Sequence, residues 1–374
     1  MLFYVTFIDF GEFYGPGKDR KIKGQIEALK AGLGEVYYTY YSYPMLYLMN
    51  DETVIEKQPA VTRRDQILVL CSWLEKYRVT KTYVRYPLAS KWFVDLLKYQ
   101  KEHNIKTILE IPTYPYDGEL EDDRSRTEDM CYRKDIHKYV DRISTSSADD
   151  MIWDVPCIGV INGISASDVI IRTKIKENKK IMLIAVGTMK FWQGYERIIE
   201  GMYLYYQKNG EYDIRLKVIG SGPEEQNYMD LVEKYKLNSK VEFVGQIEIG
   251  EIDRLNGQYA LADIAVSSLG GYKKELNEWA PIKGAEYCAK GIPFICGYRD
   301  PRFPAGWKYM MRVPNDSSPI DMESVIDFYE NVTSSEDYKE EMRDYAMNYL
   351  TWAHIMDPVI DYFISDECDG QEVS

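Results

Sequence analysis

Glu278-Trp-Ala-Pro-Ile-Lys-Gly-Ala-Glu286-Tyr-Cys-Ala-Lys-Gly-Ile-Pro293 is the stretch on which the reading of this chain turns. It sets two carboxylates eight residues apart around a turn. Pro281 sits where a helix begins, residues 283–290 read as that helix, and Gly291 closes it as a C-terminal cap. Residues 292–296 then read as a buried parallel strand. Glu278 therefore falls on the loop before a helix and Glu286 on the helix. An ionised carboxylate can accept two neighbouring hydroxyls at once, as a ribose diol or a sugar offers them. Two of them on one loop–helix unit can hold two parts of one polyhydroxylated ligand. A pair of solvated surface glutamates would look the same in isolation.

Working outward, strand-like and helix-like runs alternate along the whole chain. After a charged stretch at 172–180, taken as a linker, strands are expected at 181–186, 214–219, 241–244, 263–267 and 292–296. Helices are expected at 195–208, 224–235, 251–259 and 283–290. Ahead of the linker, strands are expected at 2–8, 35–41, 81–86, 106–111, 142–146 and 157–161. Helices are expected at 20–31, closed by Gly32, and at 63–77, 91–103 and up to 140. Residues 322–364 read as helical. Alternation in both halves predicts two parallel-sheet α/β domains. The expected domains are 1–170, 171–335 and a helical segment with an acidic tail, 336–374, packing back toward the first domain.

Composition narrows the function. The net charge is −14, which argues against nucleic acid as a partner. It is uneven: residues 1–165 carry −3 and the remainder −11, so the first half is the one suited to an anionic surface. Six scattered cysteines without a C-x-x-C pair and three distant histidines give no sign of a metal site or a disulfide framework. No apolar run reaches 18 residues, so no membrane span is expected, and the start reads as a strand rather than a leader. Lys18, Arg20, Lys21 and Lys23, with Arg63, Arg64, Arg78 and Lys81, predict a basic edge on the first domain that meets a membrane surface or an anionic acceptor.

Several strand ends carry glycines. Residues 9–17, with Gly15 and Gly17, separate the first strand from the first helix. Gly187-Thr188-Met-Lys190-Phe-Trp-Gln193-Gly194 and Gly220-Ser221-Gly222-Pro223-Glu224 each close a strand and open a helix. Bare amides at helix N-termini bind anions, and two such loops in one sheet would frame a diphosphate. Lys273 and Lys274 on the next loop, and Lys283 beside the glutamate pair, could supply cations, although lysines on a loop are ordinarily solvated. Glu110, Tyr114 and Asp117 lie at and after the strand 106–111, in a stretch too rich in Pro and Tyr for a plain connector.

As an ordered set these motifs resemble the retaining glycosyltransferases of family 4, which have the GT-B fold. The matching residues are Val186-Gly187 with Gly194, Gly220-x-Gly222-Pro223-Glu224, Val241-x-Phe243-x-Gly245, Ala262-Asp263-Ile264, and Glu278 to Glu286 running into Ala289-x-Gly291-x-Pro293. In the first half Ile161-Asn162-Gly163-Ile164 matches, and the likeness covers about residues 1–300. Bacterial polysaccharide glycosyltransferases with Trp192–Tyr195 and Ile111–Asp117 segments are the most similar. The resemblance implies two Rossmann-like, doubly wound parallel-sheet domains facing a cleft, with C-terminal helices. It implies a nucleotide-sugar donor, a UDP-sugar; the chain has no persuasive metal-binding Asp-x-Asp loop, so no metal or other cofactor is expected.

Under that resemblance Glu286 holds the ribose diol and Glu278 contacts the donor sugar. Gly187, Thr188, Gly220, Ser221 and Gly222 line the nucleotide and phosphates, and Gln246 lies near the base. Lys190, Lys273, Lys274 and Lys283 are candidate phosphate cations, with Glu278, Lys283 and Lys274 assigned to catalysis. Gly15, Gly17, Glu110, Tyr114 and Asp117 are the acceptor-side set. The acceptor is expected to be a glycan or a lipid-diphosphate-linked sugar, and the protein cytoplasmic and peripheral at the membrane. The chain departs from the family where Arg and Lys are common: it has Thr188 and Gln193. A non-catalytic GT-B partner and a sugar-nucleotide epimerase are the rival readings.

Overall fold

Chain runs of aliphatic residues, too apolar to lie on a surface, become the central strands of two sheets. The computed structural model describes residues 1–8, 16–117, 120, 122–166, 176–248 and 251–365, leaving out the side chains of 16–19. Two compact units result: Met1–Gly163 with Trp352–Ser374, and Ile164–Thr351.

The first unit runs β1 (Leu2–Val5), α1 (Pro16–Leu33), β2 (Val36–Ser42), β3 (Met45–Asn50), β4 (Thr53–Pro59), α2 (Arg63–Lys76), β5 (Lys81–Arg85), α3 (Lys91–Glu102), β6 (Lys106–Ile111), α4 (Asp123–Tyr132), β7 (Arg142–Thr145), β8 (Met151–Ile152) and β9 (Val155–Gly159). Among the described residues the sheet order is β4-β3-β2-β1-β5-β6-β7-β9-β8. Strands β2-β1-β5-β6-β7-β9 are parallel. The antiparallel β3 and β4 were not anticipated. In β3 the alternation of buried Leu46 and Leu48 with half-buried Tyr47 covers one sheet face, while β4 is largely exposed and polar, so it carries little apolar signal.

The second unit runs β10 (Lys180–Val186), α5 (Glu196–Gln207), β11 (Asp213–Ile219), α6 (Glu225–Lys234), β12 (Val241–Gly245), α7 (Ile252–Ala260), β13 (Ile264–Val266), α8 (Ile282–Ala289), β14 (Phe294–Cys296), β15 (Met310–Arg312), α9 (Met322–Val332) and α10 (Tyr338–Tyr349). Its sheet, β12-β11-β10-β13-β14-β15, is parallel throughout. One face packs on α5, α6 and α9 through Ile198, Met202, Tyr228 and Val325; the other packs on α8 and α10 through Ala285, Tyr287 and Met342.

The last helices, α11 (Trp352–Ile355) and α12 (Asp357–Ser365), belong with the first unit, whereas α10 belongs with the second. Trp352 lies against Gly24 of α1 so closely that a Cβ there would be 2.0 Å from the indole. Gly32 does not close α1, as its residue type suggested. It lies inside the helix, where Ile360 of α12 takes the space of a side chain. Gly34, at φ +85°, follows the helix instead and donates its N–H to Lys30 O at 2.9 Å. No described helix is long and apolar enough to cross a membrane.

Candidate functional site

The carboxyl ends of β10, β11 and β12 are tied to one another by backbone hydrogen bonds. Gly187 N–H donates to Ile219 O (2.9 Å), Met189 N–H to Ser221 O (2.9 Å), and Gly220 N–H to Gly245 O (2.9 Å). So close an approach demands glycine. Gly220 has φ +124°, and a Cβ on it would lie 2.3 Å from Gly187 O; one on Gly222 would lie 2.7 Å from Met189 O. The two Gly loops read as a diphosphate frame are thus neighbours. Ser221 Oγ donates to Gln246 Oε1 at 3.1 Å, which places two more of the expected donor residues side by side.

Helix α8 brings Lys283 to this place. Pro281 starts the helix with extended backbone, and Gly291, at φ +62°, follows its last turn, as the sequence indicated. The Lys283 ammonium donates to Gln193 Oε1 at 2.6 Å and lies 3.5 Å from the Tyr195 hydroxyl. It reaches the backbone of Gly187, where a Cβ would sit 3.6 Å from Nζ. Its hydrogen-bond partners are neutral, so burial dominates and pulls its pKa down to about 7, against the attraction of Glu286 one turn along α8. Gln193 in turn donates through Nε2 to Thr188 O (3.0 Å) and accepts from Ser268 Oγ (2.9 Å). An amide and a hydroxyl therefore aim an ammonium at the glycine loop.

The other candidate cations of this unit have partners of a different kind. Lys273 pairs with Glu196. Lys274 lies over the rings of Trp192 and Trp279, 4.7 and 5.7 Å from their centroids. Glu278, on the loop before α8, pairs with Arg299, and the backbones of these two residues form a short parallel bridge. Lys190 precedes the 3₁₀ turn Phe191–Gln193 and donates its N–H to Thr188 O at 2.9 Å. Tyr195, quoted only as the end of the Trp192–Tyr195 segment, and Ser268, on the loop that carries Lys273 and Lys274, were assigned no role from the sequence.

The acceptor-side set is scattered within the first unit. Gly15 lies outside the described residues, and Gly17 lies in the first turn of α1. Glu110, expected in the acceptor-side set, is buried within the unit. It is 2% exposed and bound by Lys21 Nζ (3.2 Å), Gln25 Nε2 (2.9 Å) and Arg85 Nη1 (2.8 Å). Burial would raise its pKa, but Arg85 and then Lys21 overcome this and hold the carboxyl at about 2. Lys21 is consequently turned inward, and the basic edge read on α1 loses that member. Tyr114 packs edge-on to Trp153, and Asp117 accepts from Arg133 Nη1 at 2.8 Å.

Residues 167–302 match the family model described as "Glycosyl transferases group 1". No curated protein matches the chain in sequence. Among solved structures, a glycosyltransferase from Rickettsia africae aligns with a TM-score of 0.63 at 12% identity, covering 98% of each chain. Anabaena Alr3699/HepE in complex with UDP aligns with a TM-score of 0.62 at 10% identity, covering 97% of this chain and 99% of that one. The lipopolysaccharide outer core galactosyltransferase WaaB aligns with a TM-score of 0.59 at 12% identity, over 98% and 99%. The chain has the GT-B fold. The family match falls within the second unit, and the Gly187, Ser221 and Lys283 cluster lies inside the matched residues. No group of three or more metal-ligating side chains occurs among the described residues.

Proposed function

We propose that this GT-B protein transfers a glycosyl group from a nucleoside diphosphate sugar, a UDP-sugar, to a hydroxyl of a glycan or lipid-diphosphate-linked acceptor, with retention, in bacterial cell-surface polysaccharide synthesis. The observation that carries the reading is the Lys283 ammonium, held by neutral groups against the Gly187 loop. A partly buried cation without a carboxylate hydrogen-bond partner is best satisfied by an anionic ligand. The amides of the Gly187 and Gly220 loops and Lys283 would bind the diphosphate and stabilise it as it leaves. Glu286 would take the ribose diol, Gln246 with Ser221 would lie toward the base, and Glu278 would meet the sugar. The bond from the anomeric carbon to the phosphate oxygen breaks, and a bond to the acceptor oxygen forms on the same face. The acceptor proton passes to the departing phosphate. The work would take place on the cytoplasmic side, at the membrane periphery.

The similarity to HepE, solved with UDP and with UDP-glucose, supports the choice of donor. The second reading, a non-catalytic GT-B partner, rests on Thr188 and Gln193 standing where the resembling family has cations. Lys283, bound to Gln193, offers a cation at that spot from a different helix. A screen of nucleotide sugars for turnover tests the proposal. One donor should be consumed, and Glu286→Ala should weaken its binding by roughly 1.5–3 kcal/mol with the fold intact. Nucleotide binding without turnover of any donor would favour the non-catalytic reading.

A further inference from the structure

The segment after β14, residues 297–302, is bonded along its length to the loop and helix that carry Glu278 and Lys283. Glu278 bridges to Arg299, Trp279 N–H donates to Arg299 O at 2.9 Å, and Arg299 N–H donates to Asn277 O at 2.9 Å. Three residues on, Arg302 Nη2 donates to Pro281 O, at the start of α8, at 2.6 Å. We infer that Arg302 is a positioning residue for the second unit's site: with Asp300 it anchors the first turn of α8 and so fixes where Lys283 stands and its spacing from Glu278. What Lys283 and Glu278 are positioned for rests on the glycosyl-transfer reading; the anchoring does not.

The anchor is one buried ion pair. The side chains of Asp300 and Arg302 are both 0% exposed. Arg302 donates through Nε to Asp300 Oδ1 at 2.9 Å and through Nη2 to Oδ2 at 2.6 Å. Its own N–H donates to Oδ1 at 3.1 Å, and its O accepts from the Tyr345 hydroxyl of α10 at 2.6 Å. A bidentate carboxylate thus holds the guanidinium in plane, and Nη2 passes that fixity on to Pro281. A buried ion pair adds little stability over an apolar pair of equal volume, because desolvation offsets the attraction. What this pair adds is direction, a fork aimed at one carbonyl.

The helix is shaped to meet the fork. A Cβ on Gly284 would lie 3.0 Å from Asp300 Oδ2 and 3.1 Å from Arg302 Nη2, closer than ordinary contact. Gly284 follows Lys283, so the turn that presents the ammonium rests directly on the ion pair. Lys283 is held at its tip by Gln193 and at its root by this anchor. The same segment reaches the loop that steadies Gln193, since Gly297 N–H donates to Ser268 O at 3.0 Å. One short segment therefore ties together Glu278, Lys283 and the Ser268 loop.

Two measurements on the full chain test this. The first needs no nucleotide: competitive acetylation from pH 6 to 11, read peptide by peptide by mass spectrometry, gives the pH at which Lys283 turns reactive. Arg302→Lys keeps a charge beside Asp300 but cannot span both Asp300 and Pro281 O. The loosened Lys283 should then titrate about one pH unit higher or more, with the other lysines of the unit unchanged. The second is UDP calorimetry at pH 7. Arg302→Lys should weaken UDP about tenfold, and that loss should vanish in a Lys283→Met background, because both changes act through one contact. A merely softer fold would add its loss to that of Lys283→Met and would not single out Lys283 in acetylation. Should Arg302→Lys fail to fold, Gly284→Ala leaves the ion pair intact and presses on the same seat; it should show the same pattern, several-fold in UDP affinity. An unchanged Lys283 titration with unchanged UDP affinity, or additive losses, would overturn the inference and leave the glycosyl-transfer reading standing. A native chain that does not bind UDP would contradict that reading, while the shift in Lys283 titration would still establish the anchor.

Discussion

In the first unit a carboxylate, Glu110, lies buried between Lys21 and Arg85; in the second an ammonium, Lys283, is held by an amide and a phenol. Both sit near the carboxyl ends of parallel strands, where open α/β sheets place their ligands. The partners set different roles. Charged partners hold Glu110 at about 2, so it stays ionised across the working range and locks β5, β6 and α1 together. Neutral partners leave Lys283 near 7, so its charge is settled by whatever binds beside it. The first arrangement serves the fold, and the second is poised for a ligand.

The sharpest way to break this contrast is to remove each charge in turn and compare stability. Glu110→Gln leaves Lys21 and Arg85 without their counter-charge and should cost about 3–5 kcal/mol in denaturant unfolding. The pH dependence has the same origin. A carboxyl with a depressed folded pKa contributes stability above its unfolded value of 4.5 that is lost as pH falls toward about 2, and the mutant should lack that acid-side slope. A mutant as stable as the native chain would show Glu110 to be dispensable to the fold.

Lys283→Met should behave in the opposite way. Its folded pKa lies below the ordinary lysine value of 10.5, so the unfolded chain binds the extra proton and native stability rises as pH climbs from about 7 to 10.5. Replacing it should leave stability at pH 7 unchanged or higher. UDP binding should weaken by roughly 1.5–3 kcal/mol, the range for a hydrogen bond to a charged group. Unfolding of this variant, or undiminished UDP affinity, would erase the contrast between the units.

The sequence made the second unit more legible than the first for a physical reason. Its candidate site residues lie close together in the chain: Gly220 and Gly222 fall just before the start of α6, and Glu278, Lys283 and Glu286 lie within residues 278–286. Lys283 could be shortlisted on that ground, but not ranked above Lys273 and Lys274. Its tie to Gln193 spans 90 residues, and the Lys274–Trp192 contact and the Lys273–Glu196 pair are comparably remote in sequence. In the first unit nearly every decisive contact is of that kind. Glu110 meets residues 21, 25 and 85. Gly32 was misjudged because its neighbour, Ile360, lies more than 300 residues away.

A smaller effect sharpens the comparison within the second unit. Glu278 is exposed and paired with Arg299, so Glu278→Ala should cost less than about 1 kcal/mol in stability. If it meets the donor sugar, turnover should fall while affinity for UDP, which lacks the sugar, stays unchanged. A parallel loss of UDP affinity would move Glu278 from the sugar to the nucleotide.

The most direct test of the central claim is calorimetry of UDP between pH 7.5 and 9.5, where its phosphates are fully ionised. Lys283 and its titratable neighbours, Glu286 and Tyr195, are the groups to consider, and burial raises the Tyr195 hydroxyl to a pKa beyond this range. If the diphosphate binds the charged ammonium, UDP must restore a proton to Lys283, and native affinity should fall by roughly tenfold or more across the window while that of Lys283→Met stays weak and flat. Native affinity that does not change with pH, or the same slope in the mutant, would contradict the account.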